Sequence, residues 1–388
     1  MYQEIEGIKV WGDPIENAVK QIVDASGEAE YSALMADAHH GYEVPIGAVM
    51  AYDGKVSPAG VGFDIGCGNM AVRLDVPYEE IQSDMEAIMD EVWKTFSFGT
   101  GKINDEWDTV DADDIWDSPV WNLPPSKTIS KAKVMRQLGS VGSGNHYIDL
   151  FHDQEDRVWV GVHFGSRGFG HKIASYFIGA LGKGVNLLVD TDTDMGADYV
   201  ECMNLAGLYA KRGREWVCGR VAKILQAEIK ESVHNHHNFA WREEHLGKSL
   251  WVVRKGSTPA WPGQKCFVGS NMTDTSYILR GRDTEESAAT LYSTIHGAGR
   301  IMSRTQAAGK AKRRGGKVVG RKGGKISRQD MIDRVVQHGV ELRGAGTDEA
   351  PQAYKKLDEV LEHHKGTVDV VHTLTPVGVA MAGSGYRD

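Results

Sequence analysis

No apolar run in this chain approaches the roughly 20 residues that cross a bilayer, so no membrane partner is expected. The first residues, MYQEIEGIKVWGDPIENAVKQ, lack the basic stretch and apolar core of a secretory leader. A cytoplasmic location is the expectation. Cysteine is scarce, and Cys67, Cys202, Cys218 and Cys266 form no paired CxxC pattern, which predicts reduced thiols rather than bridges. No internal repeat and no linker divides the 388 residues. Glycine-bearing motifs run from 37 to 300, and if they build one site the chain 1–388 is one intertwined domain. The expected class is mixed α/β (α+β), with central sheets flanked by helices.

Acidic charge is missing from one place. The chain carries a net charge of −9, yet Arg300 to Arg328 holds eleven Lys or Arg and no Asp or Glu. Such a ribbon on an acidic protein can follow a phosphate backbone. Its glycine content equally fits a solvated loop that orders only on a polyanion. Residues 100–127 are the reverse, acidic and Trp-containing, and are predicted as an irregular surface excursion.

Periodicity supplies the coarse elements. IKVWG reads as a short strand, followed by an amphipathic helix from Pro14. Strands are predicted at 45–52, 69–75, 157–164, 250–254, 265–268, 276–280 and 290–295, with HTLTPVGVAM as the last. Helices are predicted at 78–96, 328–339 and 349–363, with a long one over 195–231 broken near Gly213.

Several strands are then predicted to stop at the same kind of signature: glycine, His or Asp, then Asn, Ser or Arg. DIGCGN carries Asp64 and Cys67; GSGNHYIDL carries Asn145 and His146; HFGSRGFGH carries His163 and Arg167; HNHHNF carries His237 and Asn238. RKGSTPA adds Arg254 and Lys255. Sites are commonly built from loops at strand ends. If Asp64, Cys67, His146, His163 and His237 converge, one thiolate can bridge two divalent metals, a common clamp for phosphoryl transfer. Softness alone favours zinc for sulfur and nitrogen donors. In LYSTIHGAGRIMSR, His296 stands before a Gly-Ala-Gly turn with Arg300 and Arg304 beyond it. A histidine beside phosphate-binding groups can be a metal ligand, an acid or base, or a nucleophile.

The set MADAHHGYEVPIG, GFDIGCGNMAVR, GSGNHYID, HFGSRGFGH, HHNF, RKGSTPA, HGAGR..SR and DEAPQAYK, in this order, resembles the RtcB family of RNA ligases over nearly the full length. The resemblance implies that family's own compact α/β fold. It implies a reaction that joins an RNA 2′,3′-cyclic-phosphate or 3′-phosphate end to a 5′-hydroxyl end, with GTP and two Mn²⁺ ions. RNA is the implied partner, and some members use an archease-type activator.

By matched position, the resemblance makes His296 the guanylylated nucleophile and gives Arg300 a phosphate. It assigns Asp64, Cys67 and His146 to one metal, and Cys67, His163 and His237 to the other. The nucleotide pocket would draw on Asn145, His146, Tyr147, Ile148, Asp149, His237, Asn238, Gly269, Ser270, Asn271, Ser276, His296, Gly297, Ala298, Gly299 and Tyr354. RNA would meet Arg167, Arg254, Lys255, Arg304, Lys312, Arg313 and Arg314.

The pattern departs from the family in places. Asp149 stands where Glu commonly reads the guanine edge, Asn69 where Met is usual, and VGSNMT replaces PGSMG with one residue more before Ser276. No lysine follows Lys365, where many members carry a nucleotide-contacting one. These departures keep an alternative in view: a metal-dependent phosphoesterase or RNA-end-modifying enzyme on the same scaffold.

Overall fold

Strand Arg157–Phe164 is buried along nearly its whole length, as its unbroken apolar run VWVGV demands of a strand covered on both faces. It lies inside an eight-stranded sheet in a computed structural model that describes residues 2–314 and 317–383. The side chains of 313, 314, 317 and 319 also lie outside the described residues, and the expectations for Arg313 and Arg314 fall there. The sheet runs in the order Ile229–His236, Gly68–Pro77, Arg157–Phe164, Tyr147–His152, Val368–Met381, Ser276–Gly281 and Lys265–Val268, with Glu341–Gly344 parallel to Val368–Met381. A six-stranded sheet runs Tyr2–Ile5, Ile8–Trp11, Tyr31–His39, Ile46–Tyr52, Lys248–Lys255 and Asn238–His245. The chain steps from one sheet to the other at His237, between Ile229–His236 and Asn238–His245. Helices cover both sheets, so the class is mixed α/β as expected. Among the described residues no helix is long and apolar enough to cross a membrane.

Helix Asp194–Ile224 is continuous through Gly213, where a break was predicted. Interior glycine costs about 1 kcal/mol against alanine. Here an added Cβ would lie 3.3 Å from Phe164 and 3.4 Å from the backbone of Gly139, so the missing side chain allows close packing. Hydrophobic patterning also overran the helix end, because strand Ile229–His236 begins five residues later.

Other boundaries moved for similar reasons. Residues 78–96 divide into helix Tyr78–Ile81, a 3-10 turn and helix Met85–Thr95. Helix Leu357–Glu362 is preceded by 3-10 turns, in place of one helix over 349–363. Strand Tyr31–His39, absent from the sequence reading, is buried at seven of nine positions. The segment 100–127 is not a mere excursion. Ile115 and Val120 are buried in the core, Trp121 stacks on Phe169 at 5.1 Å, and Asp105, Asp108, Asp111, Asp113, Asp114 and Asp117 face outward. The basic ribbon is an antiparallel hairpin of Lys310–Arg314 and Lys317–Lys322 rather than a loop, with Lys312 exposed.

Candidate metal and nucleotide site

Antiparallel pairing brings the ligand candidates together. Strands Gly68–Pro77 and Tyr147–His152 begin at one end of the eight-stranded sheet, while Arg157–Phe164 and Ile229–His236 finish there. These four strands are neighbours, in register as Asn69↔His163, Tyr147↔His163 and Gly68↔His236. Cys67, His146, His163 and His237 therefore meet at one sheet end. The backbone N–H of His237 donates to the carbonyl of Cys67 at 2.9 Å.

The donor atoms of Cys67, His163 and His237 lie within 4.8 Å of one another, and so do those of Asp64, Cys67 and His146. The Cys67 sulfur is 3.4 Å from His163 Nε2 and 3.8 Å from His146 Nε2. His146 Nε2 is also 3.2 Å from Asp64 Oδ2. Its Nδ1 faces the Val141 carbonyl at 3.1 Å, which keeps a proton there, so Nε2, once it gives up the proton it shares with Asp64, is the nitrogen that would bind a metal. Asp64 reaches the group only because residue 165 is glycine: a Cβ there would stand 2.1 Å from its carboxylate oxygen.

Burial, helped by the Asp64 charge, pushes the Cys67 thiol well above its ordinary range. Burial holds His163 and His237 well below theirs, so both are neutral imidazoles. Burial would raise Asp64, but hydrogen bonding and charge from His146 outweigh it and lower the carboxyl. One thiol shared by two triads, with three imidazoles and one carboxylate, fits a pair of divalent transition-metal ions.

Beneath this floor lies Arg214, fully buried in helix Asp194–Ile224. Its Nη1 donates to the carbonyls of Gly66, at 3.0 Å, and Phe164, and its Nη2 donates to His234 at 2.8 Å. Burial pulls the guanidinium down to about 10, with Cys67 and Asp64 opposing the drop. It remains a cation at neutral pH, held against the backbone that precedes Cys67 and follows His163.

His296 closes the other side. Its ring centroid is 5.0 Å from that of His237. Asp37, 0% exposed on strand Tyr31–His39, accepts at Oδ2 from His296 Nδ1 at 2.6 Å, from the His296 backbone N–H at 2.9 Å and from Gly297 N–H at 3.2 Å. That arrangement leaves the Nε2 lone pair available. Burial opposes the Asp37 charge, but His296 wins and the carboxyl is lowered. Gly299 has φ +74°, and a Cβ there would sit 2.3 Å from the Asp37 carbonyl, so the Gly-Ala-Gly turn depends on glycine at this position.

A cavity of about 1320 Å³ runs past both triads and His296, larger than most small-ligand pockets. Asn145, Tyr147, Asp149, Asn238, Gly269, Ser270, Asn271, Gly297, Ala298, Gly299 and Tyr354 also line it. Tyr147 Oη, Asp149 Oδ1 and Ser270 Oγ are buried without hydrogen-bond partners, a state that native interiors rarely tolerate. Burial raises Asp149 well above the carboxylate range, against a backbone hydrogen bond from Ala380 that lowers it, and so favours its neutral form.

Other expected residues either leave the cavity or line it with their polar groups already engaged. Ile148 packs in the core, where strand alternation turns it from the cavity. Ser276 is buried and its Oγ accepts from Ser270 N–H at 2.9 Å, fastening the VGSNMT loop. Asn271 uses Oδ1 within that loop, accepting from Thr273 and Asp274 N–H. Arg300 lines the cavity, but four of its N–H bonds go to Glu349, Tyr354, Met302 and the Asp348 carbonyl. It braces the turn rather than presenting an open fork. Arg304 donates to Glu349 at 2.5 Å and to Asn145 at 3.3 Å. Arg167 lines the cavity, with a left-handed φ of 58° and hydrogen bonds to Ser140 and Gly99.

Two RNA-contact expectations fail on burial. Arg254 is 0% exposed and forks onto Glu243 at 2.8 and 3.0 Å. Lys255 is buried and donates to the carbonyls of Tyr42 and Ala59, its ammonium pulled down by burial to about 8. Sequence reasoning assigned no role to Asp37, Arg214 or Glu349. Asp37 had a signal, a lone carboxylate within the apolar run YSALMADAH.

The family model described as tRNA-splicing ligase RtcB matches residues 18–382. An Escherichia coli K12 protein named RNA-splicing ligase RtcB is 30% identical, over 95% of this chain and 96% of its own. A Thermococcus kodakarensis tRNA-splicing ligase RtcB is 29% identical, over 91% of this chain and 88% of its own. An Entamoeba dispar RNA-splicing ligase RtcB homolog 1 is 29% identical, over 85% and 75%.

Proposed function

The chain belongs to the RtcB family of RNA-splicing ligases, and from that premise we propose that it joins RNA 3′-phosphate or 2′,3′-cyclic-phosphate ends to 5′-hydroxyl ends at the expense of GTP. One observation carries the reading: His296, its Nδ1 held by buried Asp37, lies in the same cavity as both ligand triads.

His296 Nε2 attacks the α-phosphorus of GTP. A nitrogen–phosphorus bond forms, the α–β anhydride breaks and pyrophosphate leaves. Asp37 keeps the proton on Nδ1 and offsets the positive charge that grows on the ring. An oxygen of the RNA 3′-phosphate next attacks the same phosphorus. The nitrogen–phosphorus bond breaks, and the activated end RNAppG departs from a regenerated imidazole. The 5′-hydroxyl attacks the RNA-side phosphorus, a phosphodiester forms and GMP leaves. A cyclic phosphate is first opened by water. Two Mn²⁺ ions, held by Asp64, Cys67 and His146 and by Cys67, His163 and His237, would neutralise phosphoryl oxygens.

Tyr147, Asp149 and Ser270 give the nucleotide the partners their buried atoms lack. Arg167, Arg304 and the Lys312 hairpin serve RNA phosphates. An archease-type activator and a cytoplasmic setting belong to the same reading. The test is incubation with α-³²P-GTP and Mn²⁺. Wild type should carry an acid-labile, alkali-stable label, and folded His296→Ala should carry none. Ligation by the unlabelled variant would end the covalent mechanism.

A further inference from the structure

The cavity wall includes a group of side chains beside Asp64 that the reaction as described leaves without a task. The group is Tyr42, Phe63, His171, Lys172 and Lys133. Tyr42 is 57% exposed, more than any other Phe, Tyr or Trp among the described residues. Its backbone is nevertheless held from several sides. Buried Lys255 donates to the Tyr42 carbonyl at 2.7 Å, and Gln21 pairs with both the carbonyl and the N–H of Gly41. A fixed loop that pushes an aromatic ring into solvent gives up burial that folding would reward, so the exposure calls for a ligand.

The ring is not alone. Tyr42 meets Phe63 edge-on, centroids 5.2 Å apart at 62°, and Phe63 stacks on His171 at 5.2 Å and 29°. Phe63 is the residue before Asp64, so this row of rings adjoins the first ligand triad. Charge narrows the class of ligand. On a chain of net charge −9, Lys133, Arg167 and Lys172 line the same cavity as these rings. Aromatic faces beside cations and next to a phosphoryl-transfer site suit a single-stranded nucleotide end, whose base can stack while its phosphates meet lysine.

We propose that Tyr42, Phe63 and His171 form a stacking platform for the base of the RNA 3′-terminal nucleotide, the one that carries the phosphate to be activated. The proposal rests on the ligase reading above. The choice of strand follows from reach. The guanylate would lie between His296 and the unpartnered atoms of Tyr147, Asp149 and Ser270. The phosphate that takes it must approach past the triads, where Phe63 adjoins Asp64, and its own base is then beside the metal ligands.

The test transfers labelled GMP from the protein to a 3′-phosphate RNA strand, with a normal or an abasic 3′-terminal nucleotide. Expected is a KM for the strand on the order of tenfold higher in Tyr42→Ala, given the usual strength of base–aromatic stacking, judged against self-guanylylation of the same sample. Tyr42→Phe should stay near wild type. The abasic strand should cost wild type the same factor and cost Tyr42→Ala nothing more. Phe63→Ala, checked by thermal melting, should repeat the coupling. Equal KM in wild type and Tyr42→Ala overturns the platform, as does coupling that appears only when the 5′-hydroxyl strand is abasic. A wild-type protein that takes no label overturns the ligase reading instead, which separates the two failures.

Discussion

The floor and the nucleotide wall of the cavity are finished to different degrees. On the floor, strand register delivers Cys67, His146, His163 and His237 to one sheet end, a hydrogen bond orients the His146 ring, another holds the His237 backbone, and His237 Nδ1 is left without a partner. On the wall, Tyr147 Oη, Asp149 Oδ1 and Ser270 Oγ are buried with nothing to bond. Each such atom costs about 1–3 kcal/mol when left unmade. The difference teaches where ligand energy goes. Metals meet a preorganised set of donors, whereas a nucleotide is asked to complete the protein.

The sharpest break in that comparison comes at Cys67, which both triads share. Cys67→Ala should weaken both ions together by more than about 100-fold, beyond the usual effect of an outer-shell change, and abolish self-guanylylation. Metal content after dialysis measures it; two retained ions would sink the bridging role. Asp37→Asn acts on the nucleophile without touching the floor. By analogy with other histidines deprived of their carboxylate, guanylylation should slow by about 10² to 10⁴-fold with metal content intact. A rate within a few-fold of wild type would make Asp37 only a brace for the turn.

The floor was legible in the sequence because its residues sit in glycine-flanked motifs at strand ends, where residue type and position both carry information. Asp37 was hidden by its setting. It falls inside an apolar stretch, and its partner lies 259 positions away. Arg214 was hidden by a helical pattern that treats any arginine as an outward face. Arg254 failed in the opposite sense: a basic residue beside a glycine loop suggested phosphate, but its fork was already filled by Glu243. The fold class was readable because strand patterning is strong in runs such as VWVGV. The division at 78–96 and the helix through Gly213 were not, since packing against distant strands decided them.

Arg214 ties the floor to its support and should give an intermediate effect. Arg214→Met leaves the Gly66 and Phe164 carbonyls without this donor and removes a cation whose charge acts on Cys67. Metal affinity should fall about 10- to 100-fold, while Arg214→Lys recovers part of it by restoring the charge without the fork. Equal affinities in folded wild type and Arg214→Met would reduce Arg214 to packing.

Asp149 tests the wall and should give the smallest change. Burial raises its carboxyl well above the usual carboxylate range, which favours the neutral form. Asp149→Asn preserves shape and neutrality, and its KM for GTP should stay within about threefold, whereas Asp149→Ala should raise it about tenfold by removing one hydrogen-bonding group. The same group has a second signature. A carboxyl whose folded pKa lies above its unfolded one stabilises below the unfolded value, and that stability is lost as pH rises toward the folded one. The ligand-free Asp149→Asn protein should therefore melt higher than wild type at pH 7, with the gap closing as pH falls toward 4. A gap that widens toward acid would mean that Asp149 is ionised in the native state, and the wall would then be a charged surface rather than a neutral one waiting for a base.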